Sequence, residues 1–137
     1  MNLFLDDDYA RTPSTVTWAE WSGQRWDWVI VRYVSEFKRR IELYGMPKRI
    51  SLDHDMCPVH YAIYKEPDIA LRMVADGIEI PPTGRDALVW LLNRCIEFEL
   101  VRPIVYMHSL NGEGVKNMKS LVRSFDEAHP HLMPARE

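Results

Sequence analysis

The sequence predicts an α/β fold, a short, mostly parallel sheet of about four strands with helices on both faces. Three observations lead there. Apolar runs of strand length recur at 2–5, 26–32, 48–52 and 102–107. Stretches whose apolar residues keep helical spacing lie between or after them. Turn and breaker residues separate the two kinds, and no internal repeat or low-complexity tract interrupts the alternation.

The first strand, 2–5, is stopped by Asp6, Asp7 and Asp8. Residues 9–25 have no period and carry Pro13, Ser14, Thr15 and Gly23, so they read as loop. "WDWVIVR" (26–32) is rich in aromatic and β-branched residues and reads as the second strand. A helix follows in which Val34, Phe37, Ile41 and Leu43–Tyr44 mark one face, with Gly45 and Pro47 as its stop. "KRISL" (48–52) is the third strand. The stretch 56–82 holds Pro58, Pro67, Pro81 and Pro82 and predicts one helix near 67–76. Thr83 and Asp86 then form a capping box that opens a helix running to about Phe98. "RPIVYM" (102–107) is the fourth strand. "NGEG" leads into a last helix with Val115, Met118, Leu121, Val122 and Phe125 on one face.

A chain of 137 residues reads as a single domain, 1–137, with an enlarged connection at about 56–82. With 47% hydrophobic and 27% charged residues, neither disorder nor coiled coil fits. The net charge of −3 argues against a groove for long nucleic acid but leaves room for a nucleotide or one RNA end. Cys57 and Cys95 read as free thiols of a reducing compartment. No apolar stretch approaches the roughly 20 residues that cross a bilayer. The first strand begins so close to Met1 that a signal peptide has no room. The expectation is a cytoplasmic protein.

Parallel α/β sheets carry their chemistry beyond the carboxyl ends of the strands. Here those ends are Asp6–Asp7–Asp8, Asp53–His54–Asp55 and His108–Ser109. If the first and third strands are neighbours, four or five carboxylates share one crevice and cannot all ionise without a cation. Mg²⁺ (or another hard divalent cation) answers that need with a few carboxylates, waters and phosphate oxygens. Gly112, Glu113 and Gly114 open the last helix, whose amides and positive dipole end face the same crevice. A metal beside an anion-binding terminus points to phosphate chemistry. Any one of these aspartates alone is an ordinary turn former, so the weight rests on three polar strand ends together. Arg11 reads equally as a phosphate ligand or as surface, and Cys57 as a packed thiol. Trp26, Trp28 and Trp90 read as core, while Trp18 and Trp21 keep some chance of touching ligand.

"LFLDD", "ISLDHDM" and "PIVYMHS" resemble receiver domains, the phosphoacceptor modules of two-component signalling. The resemblance implies a three-layer, flavodoxin-like sandwich with Asp53 as phosphoacceptor. His108 stands where a threonine or serine is usual, with Ser109 one place later. The fifth strand and its lysine have no counterpart. These departures resemble a narrower group, the cyclic-phosphate-processing receiver-like domains. The residues that carry it are Asp6–Asp7 with Arg11 and Pro13, Asp53–His54–Asp55, Thr83–Gly84–Asp86, and His108, Ser109, Asn111, Gly114, Asn117 and Met118.

That resemblance implies action on a 2′,3′-cyclic phosphate of an RNA end or a small nucleotide. The expected hydrolase holds one Mg²⁺ on Asp6, Asp7 and Asp53, and divides proton transfers between His54 and His108. Ser109, Asn111, Gly112, Gly114, Arg11 and Asn117 would bind the phosphate or substrate, with Asp55, Thr83 and Asp86 in support. Asp53 as a nucleophile is the alternative chemistry. The rival from another class is a non-enzymatic phosphoacceptor or nucleotide-binding module that switches a partner. A weaker one is a haloacid-dehalogenase-type phosphatase with Asp6 as nucleophile and Asp8 as acid. Oligomeric state stays open.

Overall fold

In the computed structural model, which describes residues 1–135, the first strand β1 (Asn2–Leu5) is buried at every position. After an irregular segment come β2 (Val29–Val31), α1 (Val34–Tyr44) and β3 (Arg49–Leu52). Two short helices follow, α2 (Pro58–Lys65) and α3 (Asp68–Ala75), then α4 (Gly84–Phe98), β4 (Ile104–Met107) and α5 (Gly112–Ala128). A 3₁₀ turn, Pro130–Leu132, closes the described chain. The sheet has four strands in the order β2-β1-β3-β4, and every pairing is parallel. Among the described residues no fifth strand follows. No described helix is long and apolar enough to cross a membrane.

Strand alternation sends two sets of side chains to opposite faces. Leu3, Leu5, Ile50 and Leu52 join Phe37 and Ile41 of α1, Leu88 and Leu91 of α4, and Met118 and Phe125 of α5 in the larger core. Phe4 points the other way and packs with Val16, Ala19 and Trp21, flanked by Trp26, Trp28 and Tyr106. The α/β class and the parallel four-stranded sheet of a receiver-like, flavodoxin-like fold therefore stand. The long helices α1, α4 and α5 share one core, and the irregular segment before β2 covers the second face with tryptophans. Each packed indole removes a large apolar surface from water, so this layer needs no regular structure.

The same layer explains why β2 is shorter than the expected 26–32. Trp26 and Trp28 leave the ladder, and Trp26 lies beneath the Arg49 guanidinium, 3.9 Å from ring centroid to cation. In α1, Val34, Phe37 and Ile41 are buried as expected, while Leu43 and Tyr44 are exposed. Leu43 lies about 200° round the helix from Ile41, on the solvent side. Residues 56–82 hold two helices where one was expected. Pro58 sits in the first turn of α2, where a missing N–H breaks no bond, so that proline starts a helix. His60 clasps this insertion. Met56 N donates to its Nδ1 at 2.7 Å, and its Nε2 donates to the Pro81 carbonyl at 2.6 Å.

Candidate functional site

Because β1 pairs with β3 in the register Leu5↔Leu52, the acids that follow both strands emerge side by side. Asp6, Asp7 and Asp53 each present an oxygen, and these oxygens lie within 4.8 Å of one another. Asp6 is fully buried and Asp53 is 4% exposed. Burial, then repulsion from Asp6, pushes the Asp53 carboxyl up from 3.8 to about 7, against the opposing pull of Ser109 and Arg11. Burial and Asp6 also raise Asp7 above the usual carboxylate range. A carboxyl held this far above its ordinary value lacks compensating charge. The cluster is an all-oxygen donor set of the kind a hard divalent cation takes, so it could hold a divalent metal ion.

Part of that charge is supplied by Arg11. Its Nη1 lies 3.7 Å from Asp6 Oδ2 and 3.6 Å from Asp53 Oδ2, with its guanidinium 5.5 Å from the Trp18 ring centroid. Arg32 shapes the loop from beneath, its Nη1 donating to the carbonyls of Asp6, Asp8 and Arg11 at 3.1, 2.6 and 2.8 Å. The crevice above the acids measures about 470 Å³, in the range of small-molecule sites. Asp7, Asp53, Arg11 and Ser109 form its polar wall, and Tyr61 and Tyr64 of α2 stand opposite. Ser109 bonds Asp53 and also accepts the Asn111 amide at 3.1 Å.

His108 lies beneath the cluster and not across the crevice from His54. It is completely buried, stacked on Phe4 at 4.3 Å between centroids. Its Nε2 is 3.1 Å from Asp6 Oδ2 and its Nδ1 is 2.8 Å from Ser51 Oγ. Trp21 Nε1, which only donates, reaches the same Oγ at 2.9 Å. The serine proton is thus free to go to Nδ1, leaving Nε2–H to donate to Asp6. Burial lowers the His108 pKa while Asp6 opposes, which favours this neutral tautomer. The paired proton transfer expected of the two histidines does not follow from this placement, since His108 is fully buried and both its ring nitrogens have protein partners. Its geometry fixes the orientation of Asp6.

His54 lines a smaller space next to the crevice, which shares Asp55, Tyr64 and Asn111 with it. Its Nδ1 is 2.9 Å from Asp55 Oδ1 and 3.3 Å from Asn111 Nδ2. With the proton on Nδ1, donated to Asp55, the Nε2 lone pair is the basic one. Asn111 Nδ2 also donates to both Asp55 oxygens, and its Oδ1 caps α5 by accepting the Gly114 amide at 2.9 Å. The Gly114 amide is therefore already used within the protein. Gly112 is exposed at the start of α5 and does not line the crevice. Asn117 is exposed too, beside Arg85 in a separate surface depression.

Two glycines explain the spacing of the motifs. A Cβ on Gly84 would lie 1.7 Å from the Asp53 carbonyl oxygen, and the Gly84 amide donates to the His54 carbonyl at 2.8 Å. Thr83 and Asp86 cap α4 reciprocally at 3.2 and 2.8 Å, which seats that helix start under the acidic loop. A Cβ on Gly114 would lie 2.4 Å from His54 Cγ, so the imidazole rests directly on α5. Cys57, half-buried, lines the crevice and Trp18 Nε1 donates to the His108 carbonyl at 2.6 Å. Sequence reasoning missed Ser51, Arg32, Tyr61 and Tyr64. Only Ser51 carried a signal, as a hydroxyl inside an otherwise apolar buried strand.

A parallel sheet of this order, with an acidic pair after β1 converging on an aspartate after β3, defines a domain of the receiver type. Within that class the chain belongs to the cyclic-phosphate processing receiver domain family, whose model matches residues 1–124. No curated protein and no solved structure matches it.

Proposed function

We propose that the protein is a metal-dependent phosphodiesterase that opens a 2′,3′-cyclic phosphate on a nucleotide or an RNA end. The observation that carries this reading is the convergence of Asp6, Asp7 and Asp53 with Arg11 and Ser109 in one crevice, in a chain of the cyclic-phosphate processing family. Asp6, Asp7 and Asp53 would hold Mg²⁺, which when bound offsets charge on a non-bridging phosphate oxygen. Arg11 and Ser109 orient the phosphate. His54, aligned by Asp55, accepts the proton of the attacking water at Nε2. A new P–O bond forms to that water, one ribose P–O bond breaks, and the departing oxygen takes a proton from solvent. His108 contributes by holding Asp6 in place.

The test is phosphorus NMR of purified protein with 2′,3′-cyclic nucleotides and Mg²⁺. The expected result is conversion to a single phosphomonoester, lost with chelator and in Asp53→Asn. Intact cyclic nucleotide that also fails to bind refutes the proposal. A stable mass gain on Asp53 from a small phosphodonor, without turnover, points instead to the phosphoacceptor module.

A further inference from the structure

Beside the acidic crevice lies a second, smaller space of about 160 Å³, walled by Ile63, Tyr64, Ala70 and Ile80 of the insertion. Tyr64, Asp55 and Asn111 border both spaces, so the two are contiguous. His54, its Nδ1 hydrogen-bonded to Asp55, lines the side space next to these shared residues. The crevice is lined by several acids and Arg11, whereas the side space exposes mostly apolar surface, with His54, His60 and Thr83 at its polar edge. An apolar void of this size forfeits packing contacts when nothing fills it. A cavity of about 150 Å³ accepts a benzene ring, and a pyrimidine ring is of that size. Tyr64 is 41% exposed and lies 6.5 Å from Tyr61 between ring centroids, so one wall of the opening is aromatic.

From this juxtaposition we infer that the α2–α3 insertion forms a nucleobase subsite, which takes the base of the same nucleotide whose phosphate lies over the acids. The inference rests on the cyclic-phosphate reading and deepens it. The ligand is a nucleoside cyclic phosphate rather than a base-free sugar phosphate. A ribose bridging the two spaces passes Asp55, Asn111 and His54. One ring enters fully, and the second ring of a purine stands toward the opening. Stacking one base on an aromatic side chain is worth about tenfold or more in affinity.

The experiment compares 2′,3′-cyclic UMP with the 2,3-cyclic phosphate of methyl riboside, which lacks the base, in Mg²⁺ buffer by titration calorimetry. Where turnover consumes the ligand, kcat/KM serves the same comparison. The expected result is at least a tenfold advantage for the base-bearing ligand. Ala70→Phe fills the side space and removes that advantage, leaving the base-free ligand unaffected, while Ala70→Ser keeps it. The wild-type comparison stands by itself if Ala70→Phe fails to fold. Equal affinity for the two ligands overturns the base subsite and leaves the cyclic-phosphate reading intact. Failure of both to bind overturns that reading, and the subsite with it. A dinucleotide ending in the same cyclic phosphate identifies the source. A further gain over the mononucleotide marks an RNA end and no gain marks a free nucleotide, and in both the base remains bound.

Discussion

Replacing Asp53 by asparagine removes a carboxyl that the fold holds at a cost. Its pKa is raised from 3.8 to about 7, chiefly by burial and then by Asp6. A raised folded-state value means that, between those two pH values, the unfolded chain has lost a proton the folded one keeps. Stability therefore falls as pH rises through that window, and the loss is complete above about 7. From 3.8 to about 7, at about 1.36 kcal/mol per pH unit, the cost reaches about 4 kcal/mol. The amide of the Asp53→Asn variant has nothing to titrate. Urea unfolding of both proteins at intervals from pH 4 to 8.5, without divalent cation, measures the difference. The variant should gain on the wild type by about 1.4 kcal/mol per pH unit up to neutrality and then hold a constant lead. Adding Mg²⁺ at pH 8 should stabilise the wild type and leave Asp53→Asn unmoved. Parallel pH curves would refute the claim that Asp53 is a buried acid whose charge Arg11 compensates only in part.

Three further outcomes follow from the same geometry. His108→Ala leaves Asp6 without its buried donor and Phe4 without its stacked partner, and should cost about 3 kcal/mol in urea unfolding. Mg²⁺ affinity should fall with it, yet the pH–rate profile of the residual activity should keep its midpoint, because His108 is fully buried against Asp6. Gly84→Ala places a methyl 1.7 Å from the Asp53 carbonyl, and should destabilise by about 2 kcal/mol or more despite alanine's better helix propensity. Titrating Mg²⁺ should weaken Arg11's hold on Asp6 and Asp53 and move it relative to Trp18. A fluorescence change that saturates in the wild type and is lost in Trp18→Phe checks this, and a Trp18→Phe signal as large as the wild type's refutes it.

Much of the acidic cluster was legible because strand ends can be read locally. Asp6, Asp7 and Asp53 each follow an apolar run directly, and parallel pairing of β1 with β3 was the simplest arrangement that made sense of them. The capping box at Thr83 and Asp86 was legible for the same reason, since its partners are three residues apart. The role of His108 was not. A histidine at the end of a buried strand faces either the ligand or the core, and a one-residue change of register decides which. Here the answer depends on Ser51 and Trp21, far away in sequence, which occupy Nδ1 and leave Nε2 for Asp6. The wall of α2 escaped notice because prolines suggested loop, whereas Pro58 occupies the one turn of a helix that tolerates it.

What the sequence alone determined was the kind of sheet, the position of its acids and the helix starts that frame them, since period, breakers and caps act over a few residues. Only the tertiary structure decided which face each polar group serves. It packed the tryptophans of the irregular segment against Phe4 and turned His108 inward to Asp6. It also rested His54 on Gly114 and brought the insertion's tyrosines to the crevice. These outcomes turn on contacts between segments up to about a hundred residues apart, such as Asp6 with His108, and local pattern carries no record of distant partners.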